Sequence, residues 1–214
     1  MRIYKTKEKG DLVRKSSPIE NLVFNDLQLI EKMINLRDSI SDVKLTANGE
    51  NKLISLLFKG LNGDVYYPRK GDNSERFDAL ITFDDCKAIA EIEIPSSEIL
   101  DAPRNLLDDY AVLNCRKGED ISKIIPLVIC WDLPNKRTDY WNVVADIYEI
   151  LGIKIKTISI LALALHFWTE SKLDLIGDDF YLDISNSTML KENVLLKEYG
   201  MSVGDFPGYF TPFK

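Results

Sequence analysis

The segment 76–94 constrains the fold more than any other part of the chain. It contains two runs rich in β-branched and apolar residues, 76–83 and 86–94, separated by the acidic pair Asp84-Asp85. Two such runs around a two-residue turn predict an antiparallel β-hairpin. Because side chains alternate between the two faces of a strand, one face of this hairpin carries only apolar or small residues. That face consists of Phe77, Ala79, Ile81, Phe83, Cys86, Ala88, Ala90 and Ile92.

The other face of the hairpin collects three acids. Counting back from the turn sets Asp78 opposite Glu91 and Arg76 opposite Glu93, with Lys87 on the same face. Neighbouring carboxylates repel one another and are costly to bury, so we expect a positive partner. A divalent metal is one candidate, because hard cations take oxygen ligands. The other is a solvated strand face on which Arg76 and Lys87 neutralise the acids.

The overall composition indicates a globular protein without a membrane anchor. The chain has 214 residues, of which 45% are hydrophobic and 29% charged, as is usual for one domain. The longest apolar run, 157–168, is broken by polar residues and too short to span a bilayer. Residues 1–11 lack the apolar core of a secretory signal. Cys86, Cys115 and Cys130 are odd in number and lack metal-ligand spacing. We therefore expect a cytoplasmic protein with reduced thiols and no membrane partner.

The histidine content and the net charge exclude some classes of function. The single histidine, His166, follows an apolar run, and we interpret it as a hydrogen-bonded core residue more readily than as a catalyst. This inventory of residues provides neither a His/Cys zinc site nor a serine triad. The net charge of −7 argues against a non-specific coat on nucleic acid. It does not exclude a nuclease, whose catalytic face holds acids while a local basic patch meets phosphate.

The rest of the chain predicts helices and strands on both sides of the hairpin. The predicted order is α–α–β–β–β–α–β–α–β, with helices at 17–37 and 50–59, a short strand at 64–69, the hairpin, a helix interrupted at Pro103 that resumes at 104–114, a strand at 124–133, a helix at 139–151 and a strand from 153 to about 163. Three strands followed by strand–helix–strand crossovers predict an α/β sandwich around a mixed sheet. Glu50 lies in the first turn of its helix, where a carboxylate complements the helix dipole.

In this setting the acidic motif resembles that of the PD-(D/E)XK nuclease superfamily, the fold of many type II restriction endonucleases. Phe77-Asp78 matches the first position of the motif, with Phe in place of the usual Pro. Glu91-Ile92-Glu93 matches the (Asp/Glu)-X-Lys element on the following strand, and Glu50 matches the carboxylate that the family often carries on the preceding helix. The resemblance covers roughly 49–165 and implies a restriction-endonuclease-like three-layer α/β/α sandwich around a mixed sheet of about five strands.

Glu93 departs from the usual lysine of the family. The Glu-X-Glu form is similar to that of BamHI-like restriction enzymes, in which a Ser-containing turn and a helix also follow the motif, as Pro95-Ser96-Ser97 does here. The resemblance implies Mg²⁺, with Mn²⁺ as a substitute, held by Asp78, Glu91 and the Ile92 carbonyl. Glu93 would orient or deprotonate the attacking water or hold a second metal, and the helix carboxylate would be an outer ligand.

The same resemblance implies a single nuclease domain that cleaves double-stranded DNA as a homodimer, with one site per strand. The chain divides into a basic leader (1–16), an accessory N-terminal helix (17–48), the nuclease core (49–165) and a C-terminal extension (166–214). Candidate DNA contacts are cations in loops or near element ends on either side of the hairpin. They are Arg69, Lys70, Arg76, Lys87, Arg104, Lys117, Lys136 and Arg137.

Two other functions are compatible with the same residues. A repair or junction nuclease would use the same fold and the same acids. A catalytically silent nucleic-acid-binding or assembly protein would keep the fold, with Glu93 as a mark of lost catalysis. The aromatic residues near the end of the sequence, Phe206, Tyr209 and Phe210, are expected to pack either in the core or at a dimer surface.

Overall fold

The chain folds into helices on both sides of a five-stranded sheet. The structure is a computed structural model that describes residues 18–69, 75–95, 98–117, 120–177 and 190–213. In chain order the elements are α1 Pro18–Val23, α2 Leu29–Asp38, α3 Ile40–Leu45, α4 Gly49–Gly60, β1 Asp64–Tyr66, β2 Ala79–Thr82, β3 Lys87–Glu93, α5 Ala102–Lys117, β4 Ile124–Cys130, α6 Asp139–Leu151, β5 Lys156–Ser159, α7 Ile160–Trp168 and α8 Leu190–Glu198.

The five strands lie side by side in the order of the sequence. β1, β2 and β3 form an antiparallel meander, and β4 and β5 continue the sheet parallel to β3. In the hairpin Thr82 pairs with Lys87 and Leu80 with Ile89, so the predicted register is confirmed. The predicted α/β class with a mixed, five-stranded sheet is confirmed as well, although β2 and β3 are each shorter than the predicted strands.

One face of the sheet is covered by α4 and α7. The ring of Phe58 on α4 meets that of Phe83 edge-on, with 6.0 Å between ring centroids. The ring of Phe167 on α7 lies directly against Gly60, leaving no room for a side chain there. Phe58 is fully buried, and burying a phenylalanine side chain stabilises a fold by roughly 2–3 kcal/mol. These aromatic contacts seal the apolar side of the hairpin.

The opposite face is covered by α5 and α6. Glu91, Val128 and Thr157 are neighbours across β3, β4 and β5 and therefore lie on one face of the sheet. From α5, Asn105 donates a hydrogen bond to Glu91. From α6, the Tyr140 hydroxyl lies 2.6 Å from that of Thr157. The two crossover helices thus complete the predicted three-layer α/β/α sandwich and place the Glu91 face beneath α5.

The predicted single helix at 17–37 is wrong, because the chain turns between α1 and α2. The Asn25 amide nitrogen donates to the carbonyl oxygens of Asn21 at 3.1 Å and Leu22 at 3.0 Å. Its amide oxygen accepts from the backbone N–H of Leu27 at 3.2 Å. Asparagine side chains compete in this way with backbone hydrogen bonds and end helices. Leu27, which the helical spacing predicts to face inward, is exposed.

Two other predicted boundaries are wrong. The strand expected to run to about 163 ends at Ser159, whose Oγ accepts from the backbone N–H of Ala162 at 3.2 Å and caps α7. Serine at this position satisfies one of the free N–H groups of a helix start. The expected interruption at Pro103 is absent, because Pro103 lies in the first turn of α5, where proline is tolerated.

His166 is a hydrogen-bonded core residue, as its position in the sequence indicates. It is fully buried on α7. Its Nδ1 lies 2.7 Å from Ser171 Oγ, and its Nε2 lies 2.7 Å from Glu192 Oε1. The pair of His166 and Glu192 therefore connects α7 to α8 through the interior. Of the aromatic residues near the end of the sequence, Phe206 and Phe210 are buried in the core.

Several predictions fall outside the described residues. They concern the basic leader 1–16, Lys70, the Ser96-Ser97 pair and the part of the extension at 178–189. None of the described helices is long and apolar enough to cross a lipid bilayer.

Candidate active site

The site lies at the edge of the sheet where β3 and β4 end. These strands are parallel, with Glu93 level with Cys130. Since β2 runs antiparallel to β3, the segment before β2 reaches the same edge. Both crossover helices, α5 and α6, begin near it. We call this part of the surface the carboxylate edge and define it by Asp78, Glu91 and Glu93.

Asp78 is held to β3 by its side chain. It does not pair opposite Glu91 in the ladder, because β2 begins only at Ala79. Its Oδ2 accepts a hydrogen bond from the backbone N–H of Ile92 at 2.8 Å. Loss of hydration raises the pKa of the Asp78 carboxyl above its ordinary value, and the hydrogen bond from Ile92 partly offsets that rise. The carboxylate is thus held beside Ile92, between Glu91 and Glu93 in the sequence.

Glu91 is half-buried between the hairpin and α5. Its Oε1 accepts a hydrogen bond from the side-chain amide of Asn105 at 3.2 Å. Burial raises the pKa of Glu91 to about 7, and repulsion from Asp78 adds to the rise while the Asn105 hydrogen bond opposes it. Near neutral pH this position therefore favours either a proton or a cation.

Glu93 is the most buried of the three acids, with 9% of the residue exposed. Its Oε2 accepts a hydrogen bond from the backbone N–H of Glu98 at 3.3 Å, in the turn that leads to α5. Burial raises its pKa, the Glu98 hydrogen bond lowers it and the charge of Asp78 raises it again. Three carboxyls with raised pKa values thus share one edge.

A fourth carboxylate, which the sequence did not single out, faces the same place. Asp109 on α5 is buried, and that burial raises the pKa of its carboxyl to about 6. The charge of Arg76 opposes the rise, and the charges of Asp108 and Asp78 add to it. The sequence does contain a sign of this residue. Asp109 falls in the apolar stripe that Ala102, Leu106 and Leu113 form on α5, where an acid is unexpected.

Glu50 lies at the same end of the sheet, on the side of β1. The helix α4 begins at Gly49, and beyond its far end Gly63 touches the ring of Phe83 near the hairpin turn. Burial raises the pKa of Tyr67, and the charge of Glu50 contributes a smaller rise. The Tyr67 hydroxyl also donates to the carbonyl oxygen of Asn51 at 2.7 Å, which places the start of α4 on the β1 side of the hairpin. The predicted role of Glu50 as an outer ligand stays a prediction.

Two of the candidate DNA-binding arginines form ion pairs near the carboxylate edge. Arg76 Nη1 lies 2.9 Å from Asp108 Oδ2 on α5, and the β2–β3 ladder ends before it would set Arg76 opposite Glu93. Arg104 Nη2 lies 3.2 Å from Asp139 Oδ2 and connects the beginnings of α5 and α6. Both arginines are largely exposed. They offset part of the negative charge beside the acids and remain within reach of solvent.

Three more cations lie in loops around this edge. Arg69 follows β1, which points in the same direction as β3. Lys136 and Arg137 follow β4, and the Lys136 backbone N–H donates to the Phe213 carbonyl at 2.9 Å. Lys87, in contrast, begins β3, roughly 13 Å from Glu91 at about 3.3 Å per residue. It does not flank the acids.

The remaining two candidates are placed only in part. Lys70 lies outside the described residues. Lys117 is the last residue of α5, about 20 Å along the helix from Arg104 at 1.5 Å per residue. Its side chain is not among those described. The cations near the carboxylate edge are therefore Arg69, Arg76, Arg104, Lys136 and Arg137.

The chemistry of the donor set fits a hard divalent cation. Carboxylate oxygens are the ligands that Mg²⁺ and Mn²⁺ favour. Loss of hydration raises the pKa values of Asp78, Glu91 and Glu93, so a bound cation would stabilise their charged forms. Across the described parts of the chain, no three acidic, histidine or cysteine side chains already converge as a metal-binding group. A cation would have to draw the carboxylates together by rotation of their side chains.

Solved structures that are similar to this chain include two restriction endonucleases. No protein-family model and no curated protein matches the chain. The structure is similar to the small subunit (R.BspD6I2) of the heterodimeric restriction endonuclease R.BspD6I, with a TM-score of 0.47 and 12% identity over 79% of this chain and 100% of that chain. It is also similar to restriction endonuclease FokI, with a TM-score of 0.45 and 11% identity over 78% of this chain. The match spans only 34% of the length of FokI.

Proposed function

We propose that the protein is a Mg²⁺-dependent endonuclease that hydrolyses phosphodiester bonds in double-stranded DNA, as a type II restriction enzyme does. The observation that carries the proposal is the carboxylate edge itself. Glu91 and Glu93 lie on β3, Asp78 directly precedes β2, and the three share one edge. Loss of hydration raises all three pKa values, and the charge of Asp78 adds to the rise at Glu91 and Glu93. Such a group of acids favours binding of a cation over a solvated, neutralised strand face.

The cation would be held by Asp78, Glu91 and the carbonyl oxygen of Ile92. When bound there, Mg²⁺ or Mn²⁺ supplies charge stabilisation at the phosphate and lowers the pKa of water. The carboxylate of Glu93 would orient the attacking water and accept its proton at a carboxylate oxygen. In the arrangement described, the backbone N–H of Glu98 donates to that carboxylate and the Asn105 amide donates to Glu91.

Binding of DNA would depend on the cations around the carboxylate edge. Arg69, Lys136 and Arg137 lie in loops at this edge, where they can meet phosphates on either side of the scissile bond. Double-strand cleavage would take two copies of the chain, one for each strand, and we therefore include a homodimer in the proposal. Light scattering of the purified protein, with and without DNA, tests that part.

Glu93 favours one other function. Glu93 occupies the position of the usual lysine in the nuclease motif that this chain resembles. If the Glu93 carboxylate cannot activate water, the protein would bind nucleic acid without cleaving it. A repair or junction nuclease would share the proposed chemistry and differ only in its DNA substrate.

The test is cleavage of plasmid DNA in Mg²⁺ by the wild type and by Glu91→Gln. The matched control is Glu149→Gln, an exposed acid near the far end of α6. We expect discrete fragments from the wild type and the control, none from Glu91→Gln, and none from any of them in EDTA. Binding without cleavage by the wild type would show a silent binder. Preferential cutting of branched DNA would instead indicate a junction nuclease.

A further inference from the structure

Asp109 is a buried acidic residue for which the described parts of the chain provide no bonded partner. Only 5% of the residue is exposed, and among the residues that the structure describes no hydrogen bond or ion pair reaches its carboxylate. Its neighbour Asp108, in contrast, is exposed and lies 2.9 Å from Arg76. A buried acid without a bonded partner is unfavourable, and the nearby charge of Arg76 offsets only part of this cost.

Asp109 faces the acids of the hairpin. It lies one helical turn after Asn105, so the two side chains share a face of α5. Asn105 marks the direction of that face, because its amide donates to Glu91 at 3.2 Å. The electrostatic effects agree with this placement. Asp78 raises the pKa of the Asp109 carboxyl, and Asp109 raises that of Glu91.

We propose that Asp109 is a further ligand of the divalent cation held by Asp78 and Glu91. The cation would then be bound from both sides, by the hairpin and by the crossover helix α5. Its charge would compensate the carboxylate that lacks a bonded partner among the described residues. The inference rests on the cation-binding part of the proposed function, but it requires neither DNA cleavage nor DNA binding.

The test is calorimetric titration of Mn²⁺ alone into the full chain, without DNA, at a pH above the pKa values of the acids. Asp109→Asn keeps the shape of the side chain and removes its charge, and Asp108→Asn is the matched control one residue away. We expect Asp109→Asn to weaken Mn²⁺ binding at least about tenfold and Asp108→Asn to change it little. In EDTA, Asp109→Asn should melt at the same temperature as the wild type or higher, because it removes an unpaired buried charge.

Unchanged Mn²⁺ binding by Asp109→Asn would overturn the inference, as would an equal loss in Asp108→Asn, which would indicate a general effect of charge. If near-ultraviolet circular dichroism shows that Asp109→Asn is not folded, Asp109→Ser takes its place in the same comparison. Plasmid cleavage by the wild type is measured in parallel. If the wild type binds Mn²⁺ but does not cleave DNA, the proposed function is contradicted and the inference about Asp109 is not. If the wild type cleaves DNA and Asp109→Asn binds Mn²⁺ normally, the inference about Asp109 is contradicted and the proposed function is not.

Discussion

The carboxylate of Asp78 accepts the backbone N–H of Ile92 across the hairpin, with 2.8 Å between oxygen and nitrogen. The ladder between β2 and β3 stops one residue short of Asp78, so this side chain extends the connection between the strands into the site. One residue thus has a structural contact and a proposed chemical role, and the two can be separated by substitution.

Asp78→Asn should separate them. The amide oxygen can still accept the Ile92 N–H, whereas the negative charge needed for cation binding is lost. We expect plasmid cleavage to fall at least about a hundredfold while the free energy of unfolding changes little. Asp78→Ala should abolish cleavage and also lower the free energy of unfolding by about 1 kcal/mol, since it removes the hydrogen bond as well. Equal stability of the two variants in urea would contradict the structural part.

Stability without divalent cations should fall as the pH rises. The folded chain holds the Glu91 proton more tightly than the unfolded chain, because burial raises the pKa of this carboxyl from 4.5 to about 7. The free energy of unfolding therefore decreases across that interval and stays low above it. The shift corresponds to at most about 3 kcal/mol, and solvent screening reduces it to about 1–2 kcal/mol.

Urea unfolding in EDTA at several pH values measures this effect. Glu91→Gln should flatten the decline, because it removes the largest titration. The exposed control Glu149→Gln should unfold like the wild type at each pH. A wild type whose stability rises between these pKa values would show that Glu91 is better compensated than the structure indicates.

The basic loop after β4 should contribute to DNA affinity. Replacing both Lys136 and Arg137 by alanine should weaken binding and reduce the slope of log affinity against log salt by about 2, one for each lost phosphate contact. Lys87→Ala is the matched control, because Lys87 lies at the opposite end of β3. Fluorescence anisotropy at several salt concentrations, with Ca²⁺ in place of Mg²⁺, makes the comparison. A larger effect of Lys87 would place the DNA elsewhere.

His166 should matter for stability and not for chemistry. His166→Ala removes the partner of the buried Glu192 carboxylate and should lower the free energy of unfolding by about 3 kcal/mol or more. Glu198→Ala, an exposed change on the same helix α8, should have little effect. At a temperature at which the variant is still folded, its cleavage rate should match the wild type. A loss of cleavage in folded His166→Ala would contradict this assignment.

The hairpin and its register could be predicted from the sequence because two independent signals agree there. The acidic pair Asp84-Asp85 marks the turn, and alternation of side chains marks the faces. The break after Val23 could not be found in the same way, since the apolar spacing continues to Ile34 without interruption. The side-chain hydrogen bonds of Asn25 end α1. Such local hydrogen bonds do not change the spacing of apolar residues, so the spacing does not reveal them.

The candidate site was predictable in its hairpin part and not beyond. Asp78, Glu91 and Glu93 share a face by simple counting, whereas Asp109 reaches them only through the packing of α5. The sequence Asp108-Asp109 offers two adjacent acids, and nothing in their types tells which one is buried. The spacing of Asp109 from Leu106 and Leu113 does indicate that Asp109 faces inward. A single acid among apolar residues is, however, weak evidence for a functional site.

The loop that carries Lys136 depends on residues that are synthesised much later. Its backbone is bonded to the carbonyl of Phe213, and Leu133 is bonded in the same way to Gly208 at 2.7 Å. On the ribosome the four acids emerge first, and the loop that carries Lys136 lacks these two backbone bonds until residues 208–213 have followed. A nascent chain would therefore contain all four carboxylates before it could anchor the basic loop beside them.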